Sequence, residues 1–177
     1  MKSPGILESP VREQDAMTLH DSSSVRRGLP QEAQRARRFE AHLSVLLINV
    51  DGLARINNTL GTEAGDYVLG EIGSLLRRNT RSIDVVGRWD RDDFIILTVD
   101  RNLEGSLAVA EKMRTLIREH PFAWQGTPVP VTVSIGIARG VPATEGQIDD
   151  LLARARQAVA QCKTAGGDRI ERDVEAT

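Results

Sequence analysis

Leu43-Ser44-Val45-Leu46-Leu47-Ile48 is a short apolar run containing β-branched side chains, and it reads as a buried strand. Working outward, Val68, Leu69, Ile72, Leu75 and Leu76 recur at helical spacing within Thr62–Asn79. Asp84–Trp89 and Asp93–Val99 flank a short polar turn and predict a hairpin. Ala110, Met113, Leu116 and Ile117 mark a second helix. Val131, Val133, Ile135 and Ile137 alternate with Thr132, Ser134 and Gly136, which predicts a strand with unlike faces. Ile148, Leu151, Leu152, Ala155, Val159 and Cys162 line a third helix, and Arg169–Arg172 adds a last short strand. The order strand, helix, hairpin, helix, strand, helix, strand predicts an α/β (α+β) fold: a ferredoxin-like mixed sheet with helices packed on it and an inserted hairpin. That architecture hosts many functions, so it does not decide one.

Upstream of Ala41 the composition changes. Pro4, Gly5, Pro10, Ser22–Ser24, Gly28 and Pro30 sit among charges of both signs with few large apolar groups. The first ~14 residues read as flexible, and Leu29–Glu40 as a polar helix with Pro30 at its start. The expected division is an N-terminal segment over 1–40, a domain over 41–172 and a tail over 173–177. A chain of 177 residues holds one such domain.

No stretch approaches the ~20 apolar residues of a spanning helix, and no apolar block follows Lys2, so neither a membrane partner nor a secretory signal is expected. Lone Cys162 excludes a disulfide framework or multi-cysteine zinc site, fits a cytoplasmic location, and lies on a helix's apolar stripe as a core residue. A net charge of −2 and an aromatic content of 3% argue against a nucleic-acid partner. His20, His42 and His120 lack metal-ligand spacing, and the Arg35-Ala-Arg37-Arg38 cluster reads as a solvated helix face.

Three stretches carry a resemblance. Asn49-Val-Asp51-Gly-Leu-Ala-Arg-Ile-Asn57-Asn-Thr-Leu-Gly61-Thr-Glu-Ala-Gly65-Asp66 resembles D-x-D-x-F-K-x-I-N-D-x-x-G-H-x-x-G-D of the GGDEF family, the diguanylate cyclases. Arg81-Ser-Ile-Asp84-Val-Val-Gly-Arg88-Trp89-Asp90-Arg91-Asp92-Asp93-Phe94 resembles R-x-x-D-x-x-x-R-[YW]-G-G-[DE]-E-F. Val131-Thr-Val-Ser-Ile-Gly136-Ile-Ala is similar to V-T-x-S-I-G-[VI]-A. Order and spacing agree from Leu43 to Ile170, and several motifs in register carry more weight than any one. Asp15-Ala-Met-Thr18 and Arg26-Arg27 are faintly similar to the family's D-x-L-T-G-L-x-N-R-R. The resemblance implies synthesis of cyclic di-GMP from two GTP molecules on facing domains, with metal ions activating a ribose 3′-hydroxyl and neutralising the triphosphate.

This sequence departs from that pattern at several positions. Asn49 stands where the family has its first metal-binding Asp, so a full charge is missing near the cation, a loss of several kcal/mol in order of magnitude (~4 at an effective dielectric of 20). The two signature glycines are Asp90 and Arg91, expected to fit a left-handed turn moderately and poorly. The signature acids are Asp92 and Asp93, the latter one methylene shorter than the family's Glu. Ala54 replaces a phosphate-contacting Lys; Lys163 survives, but the Arg beyond it is Gly167. Asn49, Asp51, Asp90, Arg91, Asp92 and Asp93 are therefore expected to be vestigial, with weak or no metal binding at Asp51 and Asp92.

Other motif positions are kept. Asn57 and Asp66 match the family's guanine-reading pair and, with Lys163, form an expected GTP-binding set; the alternative for Asn57 is a turn residue, and for Asp66 a first-turn helix charge. Arg81 and Asp84 fall where the family's inhibitory product site lies, five residues intervening before Asp90, and Lys112 occupies the place of an assisting basic residue. An Arg fork suits a guanine edge or a phosphate, and a carboxylate accepts from guanine N1 and N2. The competing reading is a surface ion pair worth ~0–1 kcal/mol.

The resemblance thus implies an impaired GGDEF domain acting as a cyclic di-GMP receptor through Arg81, Asp84 and Lys112. The alternatives are a weak diguanylate cyclase using Asp51, Asp92, Asp93 and Asn49 for metal, and an interaction module without nucleotide. Expected ligands are cyclic di-GMP and, where the old substrate pocket persists, GTP. No cofactor is expected beyond magnesium with that GTP. A second copy of the chain or another protein is the expected partner at the old dimer face.

Overall fold

The computed structural model describes residues 19–173. The expectations for the first residues, for Asp15-Ala-Met-Thr18 and for 174–177 lie outside the described residues.

The strand at Leu43–Ile48 extends to β1, His42–Val50, the centre of a five-stranded sheet. It pairs antiparallel with β3 (Asp93–Asp100) and β6 (Val133–Gly140). The edges are β2 (Val85–Arg88), antiparallel to β3, and β7 (Ile170–Arg172), parallel to β6, giving the order β2-β3-β1-β6-β7. The period-2 pleat divides β1 between two cores. Leu46, Ile48 and Val50 face α3 (Thr62–Asn79) and α4 (Leu103–Glu119), with Val68, Ile72, Met113 and Ile117 packed there. Leu43, Val45 and Leu47 face α1 (Ser22–Arg38) and α5 (Glu145–Thr164), with Val25, Leu29, Leu151 and Ala155. This is the expected mixed sheet with helices packed on it. Among the described residues no helix is long and apolar enough to cross a membrane.

The structure departs from or adds to the local reading at four places. First, α1 starts at Ser22, not Leu29, and Pro30 lies inside it. Asp21 caps its start by accepting from the Ser24 amide at 2.7 Å. Burial of Val25, Leu29, Ala33 and Ala36 against the sheet outweighs the bond that Pro30 cannot make. Second, Leu53–Leu60 forms a short helix, α2, so Asn57 is a helical residue rather than a turn residue. Third, both of the unlike faces of β6 are covered: Ser134 is fully buried and Gly136 meets α5, because a helical layer packs on that side too. Fourth, a two-stranded ribbon, β4 (Ala123–Trp124) and β5 (Thr127–Pro128), follows α4 unannounced by any apolar alternation.

Candidate functional site

The end of β1 delivers Asn49 and Asp51 to the α5 side of the sheet, beside the starts of β3 and β6. Asn49 stands in register opposite Asp93, and its Nδ2 donates to Asp93 Oδ1 at 2.6 Å. Burial pushes the Asp93 carboxyl up, and the Asn49 amide and Arg156 on α5 partly offset this. Asp51 is saturated. Its Oδ1 accepts from Ser134 Oγ at 2.7 Å and Lys163 Nζ at 2.5 Å; its Oδ2 accepts from Thr132 Oγ1 at 2.7 Å and the Asp168 amide at 2.9 Å.

Burial opposes ionisation of Asp51, yet these donors more than compensate and hold its carboxyl below the ordinary range. A group with a depressed folded pKa stabilises the fold above its unfolded pKa and loses that contribution as pH falls through the folded value. Asp51→Asn is therefore expected to lower stability by about 1–3 kcal/mol at neutral pH. In acid denaturation series the gap from wild type narrows below pH ~3.8.

The loop that bonds Asp51 turns through Gly166, Gly167 and Asp168, all at positive φ. A Cβ on Gly167 would sit 2.9 Å from Asp51 Oδ1, so this glycine lets the loop close over the carboxylate. Arg114 on α4 pairs with Asp168 at 2.8 Å and fixes the loop from the other side.

The turn between β2 and β3 carries Asp90, Arg91 and Asp92, all exposed. Neither Asp90 nor Arg91 has positive φ, so the left-handed strain expected of them is absent. The turn is closed by Trp89 N donating to Asp93 O at 2.9 Å and Arg91 N donating to Asp90 Oδ1 at 3.1 Å. Arg88 donates to the Asp90 and Arg91 carbonyls at 3.2 and 2.6 Å. Trp89 is buried beneath the Arg26 guanidinium, 4.0 Å from its ring centre, which ties α1 to this hairpin.

Asn57 on α2 lays its side chain over Gly65 on α3, the neighbour of exposed Asp66; a Cβ at Gly65 would be 1.8 Å from Asn57 Oδ1. That oxygen is buried without a hydrogen-bond partner. Lys163, the third member of the expected GTP set, is engaged with Asp51.

Arg81 and Asp84 form a separate turn between α3 and β2, with Asp84 N donating to Arg81 O at 3.1 Å. Arg81 is exposed, Asp84 half-buried, and among the described residues no ion pair joins them. Burial pushes the Asp84 carboxyl up, and the positive charge of Arg81 partly offsets it. Lys112 on α4 donates to Asn79 O at 2.9 Å, at the helix end that leads into this turn. The structure thus brings Arg81, Asp84 and Lys112 to one edge, apart from the Asn49–Asp93 end of the sheet.

Sequence reasoning missed Arg35 here. Rather than facing solvent alone, it donates to Ile83 O at 2.9 Å and pairs with Glu32 at 2.8 Å, while Arg37 donates to Pro142 O. The only signal available was the density of arginine on one helix.

Comparison with known proteins defines the class. The profile described as diguanylate cyclase, GGDEF domain, matches residues 13–169. Over 143 residues the chain is 34% identical to the diguanylate cyclase DgcP of Pseudomonas aeruginosa, covering 81% of this chain and 21% of that protein. The crystal structure of the GGDEF domain of YfiN (TpbB) from the same species matches with a TM-score of 0.81 at 26% identity, over 89% of this chain and 98% of that one. The GGDEF domain of DgcB from Caulobacter crescentus, crystallised with c-di-GMP, matches in fold with a TM-score of 0.81 at 17% identity, over 95% and 99% of the two chains. This chain belongs to the GGDEF family. It spans about a fifth to a third of the length of the first curated relatives it matches.

Proposed function

We propose that this GGDEF domain does not make cyclic di-GMP but binds it as a receptor or regulatory module, through Arg81 and Asp84 with Lys112 assisting. The observation that carries this reading is the open Arg81–Asp84 turn. Its guanidinium has no carboxylate partner among the described residues, and its half-buried carboxyl makes no ion pair there either. An unpaired fork beside an acceptor suits a guanine edge and a phosphate together. The turn lies outside the altered hairpin, so the substitutions at Asn49, Asp90, Arg91 and Asp93 leave it intact. The DgcB complex supports the fold as a host for this dinucleotide.

Calorimetric titration with cyclic di-GMP and, separately, with GTP tests the proposal. Micromolar binding of the dinucleotide is expected; its absence overturns the receptor reading.

Catalysis is tested alongside. Purified protein incubated with GTP and magnesium is expected to yield no measurable cyclic di-GMP. Turnover that vanishes in Asp92→Ala would make the chain a cyclase. Restoring glycine at positions 90 and 91 alone is not expected to confer activity, because the charge missing at Asn49 is still absent. The combined variant Asn49→Asp, Asp90→Gly, Arg91→Gly, Asp93→Glu is the smallest restoration expected to do so.

One observation favours a second reading, in which GTP still binds. The Asn57 Oδ1 is buried over Gly65 without a donor, and a turn of this amide toward solvent would present it to guanine N1 or N2. GTP binding lost in Asn57→Ala is the result expected of that reading.

A further inference from the structure

The resemblance implies magnesium between Asn49, Asp51 and the signature acids, but the side chains at that end of the sheet are already committed to one another. Magnesium takes a near-octahedral set of oxygens at about 2.0–2.1 Å. Asn49 turns its nitrogen, a donor, toward Asp93 at 2.6 Å. The two oxygens of Asp51 accept from four donors, and a carboxylate offers ~four lone-pair sites. Asp92 is exposed on the turn. Among the described residues no three His, Cys, Asp or Glu side chains converge on a common point. This donor set does not fit the ion.

We propose that the Asn49 amide takes the place of the divalent cation. With an Asp at position 49, two carboxylates would face each other across the β1–β3 register at hydrogen-bonding distance. Like charges that close cannot both stay ionised without a cation between them. The amide N–H supplies the positive end of a dipole instead, so this end of the sheet assembles without metal. The inference rests on reading the chain as an impaired GGDEF domain. It makes no use of the Arg81–Asp84 turn.

The test compares wild type, Asn49→Asp and the exchanged pair Asn49→Asp/Asp93→Asn, each in EDTA and in millimolar magnesium or manganese. Thermal unfolding and the paramagnetic signal of free manganese are the readouts. Wild type is expected to bind no manganese and to melt at the same temperature in both conditions. Asn49→Asp is expected to melt lower in EDTA by about 3 °C or more, the scale of a kcal/mol-sized loss in a domain of this length, and to recover with metal while binding about one manganese. The exchanged pair restores an amide facing a carboxylate and is expected to return to wild-type melting with no metal response.

Stoichiometric manganese binding by wild type overturns the proposal. So does an Asn49→Asp variant that shows neither the drop nor the recovery. If Asn49→Asp fails to fold in either condition, the exchanged pair decides: a folded, metal-indifferent double variant supports the proposal, and a metal-requiring one overturns it. Cyclic di-GMP appears in no arm, so failure here is separable from failure of the receptor reading.

Discussion

Arg81→Ala is expected to weaken cyclic di-GMP binding by about tenfold or more, and Asp84→Ala to weaken it comparably. A charge-assisted hydrogen bond contributes roughly 1.5–3 kcal/mol, and ~1.4 kcal/mol is tenfold in Kd. Arg81 has no ion pair to lose among the described residues, so removing it subtracts ligand contacts rather than a contact holding the turn. The turn itself is held by its own backbone bond and by Arg35 on Ile83 O. Lys112→Ala should cost less: a single ammonium replaces a fork, and it is already held on Asn79 O. Calorimetry on the three variants gives the order. Binding that ignores Arg81→Ala would remove the turn from the ligand site and shift the assignment to Asn57 and Asp66.

Gly136→Ala is expected to be the most destabilising single methyl in the domain's centre. The added carbon would lie 2.2 Å from Ala155 O, 2.6 Å from Val159 N and 2.8 Å from Val159 Cγ2. Two of these are backbone atoms of α5, which no rotamer change can move aside. Relief requires α5 to slide off β6. That motion opens the core around Leu151, Ala155 and Val159 and draws Lys163 away from Asp51. Overpacking of this kind costs about 3 kcal/mol, the upper end of its usual range, so thermal unfolding monitored by circular dichroism should shift down by ~6–12 °C. A shift under ~2 °C would mean that α5 is not held against the sheet in the way described.

The elements that the sequence announces are those whose own period suffices. Thr62–Asn79 is a helix to the residue because its apolar stripe runs unbroken for its whole length. The hairpin around Asp90–Asp92 is legible because apolar strands flank a polar turn. By contrast, α2 is only eight residues, Leu53–Leu60, and buries just Leu53 and Ile56, too few to show a period. The start of α1 carries a local signal, Asp21 ahead of three serines, but Pro30 reads as a helix start and masks the stripe of Val25, Leu29, Ala33 and Ala36 that runs past it.

The sequence by itself determined the family, through motifs in register from Leu43 to Ile170, and the positions where this chain departs from it. It also determined the two-sided burial of β1, because alternate residues of a largely apolar run must face opposite cores. Only the tertiary structure decided what each departing side chain meets. Asn49 finds Asp93 at a separation of 44 residues, Lys163 finds Asp51 at 112, and Arg35 finds the Ile83 carbonyl at 48. Local propensity and period act over one or two turns of chain. Contacts like these are fixed by strand register and by helices docking on the sheet, so the partners of a polar side chain become readable only once the layers are packed.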